Sequence, residues 1–158
     1  MEGLVRKMKA KLVRTVLFLL GVVLSGVFVR AGLSKIPDPG SFRKTLEGFQ
    51  LLPAALVMPF SLWIPWLELS LGVFYWVRGF RLASLYGTML LLAMFCAALS
   101  YASIRGIEMD CGCFGASAGA TSAHHGLLRN AFLMTAGCLL IFREMRERSR
   151  TAAFIENP

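Results

Sequence analysis

Charge is scarce in this chain. Only 16 % of its 158 positions are charged, against 56 % hydrophobic, a balance too apolar for a water-soluble domain on a chain too short for several. Repeats, low-complexity tracts and polar linkers are also missing, so one domain over residues 1–158 is the economical reading. Acidic groups are scarcest, nine against seventeen Lys and Arg. The resulting net charge of +8 would suggest nucleic acid in a soluble protein, but here it is distributed around apolar runs and points to a membrane instead. Four cysteines and two histidines are all the thiol and imidazole ligands available, and the Cys-x2-4-Cys spacing of structural zinc sites is not among them.

What is there in abundance is apolar sequence. A span needs roughly 20 apolar residues to cross about 30 Å of hydrocarbon. Four stretches qualify, over residues 12–30, 52–77, 82–104 and 124–142. The expected fold is therefore an all-α bundle of four transmembrane helices in a lipid bilayer. Eleven of the seventeen basic residues fall in three places: Arg6 to Arg14, the pair Arg78 and Arg81, and Arg143 to Arg150. Four spans put these on one side, which the positive-inside rule makes cytoplasmic together with both termini. Residues 31–50 and the segment after the third run then face outward, which in a bacterial inner membrane means the periplasm, where thiols can be oxidised and stay so. Basic residues before an apolar run also suggest a signal peptide, but the first run is long and lacks a clean small-residue cleavage site, so it is expected to stay as a span.

The first outward segment opens on the turn cluster Ile36-Pro37-Asp38-Pro39-Gly40. Beyond it Phe42, Leu46 and Phe49 recur at helical spacing, which predicts a short interfacial helix serving as lid or anchor. Pro53, Pro59 and Pro65 each remove a backbone donor from the second span, which should bend against its neighbours. Gly21, Ser25 and Gly26 in the first span, and Ala97, Ala98 and Ser100 in the third, would permit close helix packing.

The chemistry concentrates in Asp110-Cys111-Gly112-Cys113-Phe114-Gly115, between the third and fourth runs. A Cys-X-Cys disulfide closes a very small ring, and strain makes a disulfide easier to reduce. Gly112, with no Cβ, relieves that strain best. A permanent staple is the weaker reading, because closing so short a loop removes little unfolded-state entropy. A soft-metal site, with Cu or Zn held by Cys111, Cys113 and His124 or His125, is an alternative on the same residues. Cys96 and Cys138 lie inside the third and fourth spans, either as packing residues or, if they meet, as a second redox pair. Glu68 is a carboxyl inside an apolar run and needs a partner. Arg30 and Lys35 are the nearest candidates, then Arg105 and Arg129, which bracket the cysteine segment. Arg129 is also placed to lower a thiol pKa there. The pairing would hold the bent second helix in register or line a quinone pocket.

Arg30-Ala31-Gly32-Leu33-Ser34-Lys35-Ile36-Pro37-Asp38-Pro39, then Phe42, Leu52-Pro53, Pro65, Glu68 and Gly72, and finally the Asp110 to Gly115 motif with Arg129-Asn130, resemble the methylamine-utilisation MauE family within the DoxX-like membrane proteins. The likeness spans most of the chain. The Arg-x-Gly-x-x-Lys and Glu elements are common to DoxX-like proteins, whereas Asp-Cys-Gly-Cys-Phe-Gly is particular to the MauE branch. The resemblance implies a four-helix inner-membrane bundle that works with a periplasmic thioredoxin-like partner in maturing a disulfide-rich periplasmic protein. Cys111 and Cys113 would carry the exchange, supported by Arg30, Lys35, Glu68, Asp110, Gly112 and Arg129. Architectural analogy with the vitamin K epoxide reductase and bacterial disulfide-oxidase bundles extends this to a quinone as electron acceptor. Those bundles carry a second thiol pair as a relay, and here only the separated Cys96 and Cys138 remain. The leading expectation is thus a thiol–disulfide oxidoreductase, with a metal-handling protein and a non-catalytic assembly subunit as the alternatives.

Overall fold

The computed structural model describes residues 2–49, 53–105 and 123–156, and all regular structure among them is helical. In chain order the helices are α1 (Glu2–Lys35), α2 (Pro39–Gly48), α3 (Ala54–Phe74), α4 (Arg81–Ile104) and α5 (Ala123–Glu156). Four of them, all but α2, are long and apolar enough to cross a membrane. At 1.5 Å per residue, the 21 residues of α3 reach about 30 Å, one hydrocarbon thickness.

α1 and α5 are longer than the apolar runs that announced them, at 34 residues each. Both overrun the apolar stretch at the basic end. On α5 the ion pairs Arg143–Glu147 and Arg148–Glu144 sit at i,i+4 and favour helix in the absence of lipid. At the other end α1 stops where Pro37 and Pro39 withdraw two donors within three residues. Pro39 then occupies the first turn of α2, where its missing N–H costs nothing, and the Asp38 carboxylate caps the helix by accepting from the Ser41 amide at 3.1 Å and from the Ser41 hydroxyl. Those two bonds hold the Asp38 carboxyl below its ordinary 3.8.

α2 lies against α3, with Phe42 and Leu46 packed onto Val57 and Ile64. Its apolar face is therefore turned to protein, which is the lid arrangement. Pro53 stands just before α3 and caps it instead of interrupting it, while Pro59 and Pro65 lie within the helix.

Burial is inverted relative to a soluble protein. Trp63 is 78 % exposed and Phe132 and Leu128 also face outward, whereas Ser25, Lys35, Ser61, Glu68, Ser84, Thr88 and Asn130 are buried. An apolar exterior around polar interior groups is what lipid as solvent selects. Two buried serines bond carbonyls near the end of α3, one of which, that of Leu71, also accepts from the Tyr75 amide at 3.2 Å. Ser25 Oγ donates to the Gly72 carbonyl at 2.8 Å and Ser84 Oγ to the Leu71 carbonyl at 2.6 Å.

The main core joins Leu24 and Phe28 of α1, Leu85, Leu91 and Leu92 of α4, and Leu133 and Leu140 of α5. α1 packs most extensively on α3, and α4 on α5. Of the small residues expected at contacts, Gly21 and Ser25 are buried, but Gly26 has nothing near it and Ala97 and Ser100 are exposed. The buried face of α4 is built from leucines with Ser84, Thr88 and Ala102.

Candidate functional site around the buried Lys35–Glu68 pair

Two glycines set this site up. A Cβ on Gly32 would lie 2.6 Å from the Pro65 carbonyl oxygen, and one on Gly72 would lie 3.0 Å from the Ser25 carbonyl oxygen. α1 and α3 therefore touch backbone to backbone at two levels, a separation only glycine allows. Lys35 lies one turn beyond Gly32 and Glu68 one turn before Gly72, so the close approach delivers both side chains into the same space.

There the Lys35 ammonium donates to both Glu68 oxygens, at 2.6 and 2.8 Å. The side chains are 1 % and 3 % exposed. The ammonium also lies 4.7 Å from the centre of the Phe42 ring and 5.1 Å from that of Phe95, so two aromatic faces add to the charge stabilisation. On the far side Glu68 lines a cavity of about 20 Å³ with Arg129, Asn130, Phe28 and Leu92. That volume suits one water molecule. Asn130 is buried and its Nδ2 makes no hydrogen bond among the described residues. All five helices thus contribute a side chain: Lys35 from α1, Phe42 from α2, Glu68 from α3, Phe95 from α4 and Asn130 from α5.

Of the partners considered for Glu68, Lys35 makes the salt bridge. Arg30 is exposed on α1, and Arg105, just past the end of α4, lies with its guanidinium 5.0 Å from the Tyr101 ring centre. Arg129 reaches the cavity from the first turns of α5. Phe95 carries no signal in sequence until its neighbours are known, and Asn130 stands out there only in the Arg129-Asn130 element of the resemblance. Among the described residues the space beside Glu68, about 20 Å³, is too small for a quinone ring.

Asp110, Cys111, Gly112 and Cys113 lie outside the described residues, and so do the side chains of His124 and His125, which fall in the first turn of α5. The segment carrying the thiols connects the end of α4 to the start of α5, the same two helices that bring Phe95 and Asn130 to the ion pair. Neither Cys96 nor Cys138 is in a disulfide. Cys96 is half-buried with its Sγ 4.0 Å from the Met134 sulfur, and Cys138 is exposed.

Four apolar helices closed over a buried lysine–carboxylate pair define a multi-pass membrane protein. The chain belongs to the family described as Methylamine utilisation protein MauE, whose profile matches residues 13–143. It is 32 % identical over 100 residues to the Methylamine utilization protein MauE of Paracoccus denitrificans, covering 63 % of this chain and 54 % of that protein. With the protein of the same name from Methylophilus methylotrophus it shares 31 % identity over 88 residues, 55 % of this chain and 46 % of that one. The chain thus aligns with about half the length of these relatives. No solved structure matches it.

Proposed function

We propose that this protein is a membrane thiol–disulfide oxidoreductase in which Cys111 and Cys113 exchange electrons with a periplasmic thioredoxin-like protein, supporting the maturation of disulfide-containing periplasmic proteins. The observation that carries the reading is the Asp-Cys-Gly-Cys-Phe-Gly segment in the sequence between α4 and α5, whose flanking helix ends lie away from the basic cleft. Lys9 and Arg14 of α1, Arg78 and Arg81 beside the start of α4, and Arg143 and Arg146 of α5 line one cleft, so the basic clusters share one end. The positive-inside rule makes that end cytoplasmic and the cysteine end periplasmic. A loop disulfide there is attacked by a partner thiolate; a mixed disulfide forms and one loop thiolate leaves. The partner's second thiol then displaces the other loop sulfur, leaving the partner oxidised and the loop reduced by two electrons. The same steps run in reverse when the loop starts as a dithiol.

The buried ion pair serves this chemistry as a platform. It ties α1 to α3 and, through Asn130 and Phe95, meets the helices from which the cysteine segment springs. The test is mixed-disulfide trapping: Cys111→Ser or Cys113→Ser should accumulate or abolish a covalent adduct with a thioredoxin-like protein, while the bundle stays inserted. Full exchange activity in both single variants would refute the reading.

A further inference from the structure

A large concavity among the described residues lies at the end of the bundle away from the α4–α5 connection. It is a cleft of about 1240 Å³ between α1 and α5, closed at one edge by the α3–α4 turn. Lys9 and Arg14 line it from α1, Arg78 from the turn and Arg146 from α5, and none of these four makes an ion pair among the described residues. Arg81 and Arg143 line it as well but are already held, at 3.6 Å by Glu144 and at 2.8 Å by Glu147. Glu147 is the only carboxylate in the lining, so six cations face a single anion.

Polarity changes along the cleft in one direction. α1 runs from Lys9 and Arg14 to Val16 and Leu20, and the antiparallel α5 runs from Leu139 and Phe142 to Arg143 and Arg146. Both walls therefore place cations at the same end and aliphatic or aromatic side chains toward the membrane centre. A free phosphate would use the first half and leave the second bare. An amphiphile with an anionic head uses both. The volume exceeds the 300–1,000 Å³ usual for small-molecule pockets, as a headgroup with the first part of its acyl chains requires.

We propose that this cleft is a binding site for an anionic phospholipid, the phosphodiester held by Arg14, Arg78 and Arg146 and the acyl chains lying along Val16, Leu20 and Phe142. Bridging α1, the α3–α4 turn and α5, such a lipid clamps these three elements together at the basic end. Basic pockets between transmembrane helices are suited to this because each cation near the headgroup layer contributes severalfold to affinity.

The full chain in neutral detergent tests it, by native mass spectrometry and by thermal unfolding with added phosphatidylglycerol, phosphatidylcholine or inorganic phosphate. Phosphatidylglycerol should be retained and raise Tm, and phosphatidylcholine and phosphate should do neither. Arg14→Gln with Arg146→Gln should weaken phosphatidylglycerol binding on the order of tenfold or more. Arg43→Gln with Lys44→Gln, the same charge change on α2, should leave it unchanged. Arg78→Gln, in the turn outside the long helices, gives the same reading if the double variant folds poorly. Equal binding of phosphatidylcholine, displacement by inorganic phosphate, an equal loss in the α2 control, or undiminished binding in both cleft variants would overturn the proposal.

Discussion

Glu68→Gln isolates the energetics of the buried pair. The amide has the shape of the carboxyl and keeps one acceptor oxygen, but it no longer carries the charge that compensates a Lys35 ammonium only 1 % exposed. Removing one member of a buried ion pair costs about 3–5 kcal/mol, because the survivor is left charged in low dielectric. The Phe42 and Phe95 rings lie beside the ammonium before and after the substitution, so their attraction cancels from the difference. The expected loss is therefore about 3–5 kcal/mol. Lys35→Met with Glu68→Leu removes both charges and should return most of it, since apolar replacement of a whole buried pair is often neutral. Unfolding in mixed micelles, followed by fluorescence of Trp63, Trp66 and Trp76, gives the three stabilities. A Glu68→Gln protein as stable as wild type, or a double variant no better than the worse single one, would refute the reasoning.

Other substitutions probe separate links. Gly32→Ala should destabilise by about 1–3 kcal/mol, since its methyl meets the Pro65 carbonyl, while Gly26→Ala, with nothing within 4 Å, should be neutral in the same unfolding assay. Asp38 has a folded pKa below 3.8, so its capping contribution is full above that value and is lost as pH falls through the lower folded one. Amide exchange across α2 should accordingly quicken at acid pH in wild type, and Asp38→Asn, which still caps, should remove the acid dependence. Cys96→Ala and Cys138→Ser should leave thiol exchange unchanged, measured as the rate of partner oxidation or reduction; a loss in either would make the intramembrane thiols part of the relay.

The spans were legible because apolar runs of the right length leave few alternatives, and Glu68 stood out because a lone carboxyl in such a run needs a partner. The choice of Lys35 over Arg30 was not legible. The pair is 33 residues apart, and its register is set by backbone contact at Gly32 and Gly72, positions that look like ordinary small residues until the helices are docked. Gly26, Ala97 and Ser100 show the converse: small residues that face outward, indistinguishable in sequence from those at contacts. Helix ends differed for local reasons. α1 and α5 run on through charged residues because nothing there breaks them, and Pro53 starts a helix more readily than it interrupts one.

The direct test of the central claim is alkylation of Cys111 and Cys113 by a membrane-impermeant maleimide, in intact cells carrying Cys96→Ala and Cys138→Ala, with and without prior reduction. The account predicts labelling from outside that changes with the redox state of the thioredoxin-like partner. Labelling only after permeabilisation, or one fixed redox state under every condition, would contradict it.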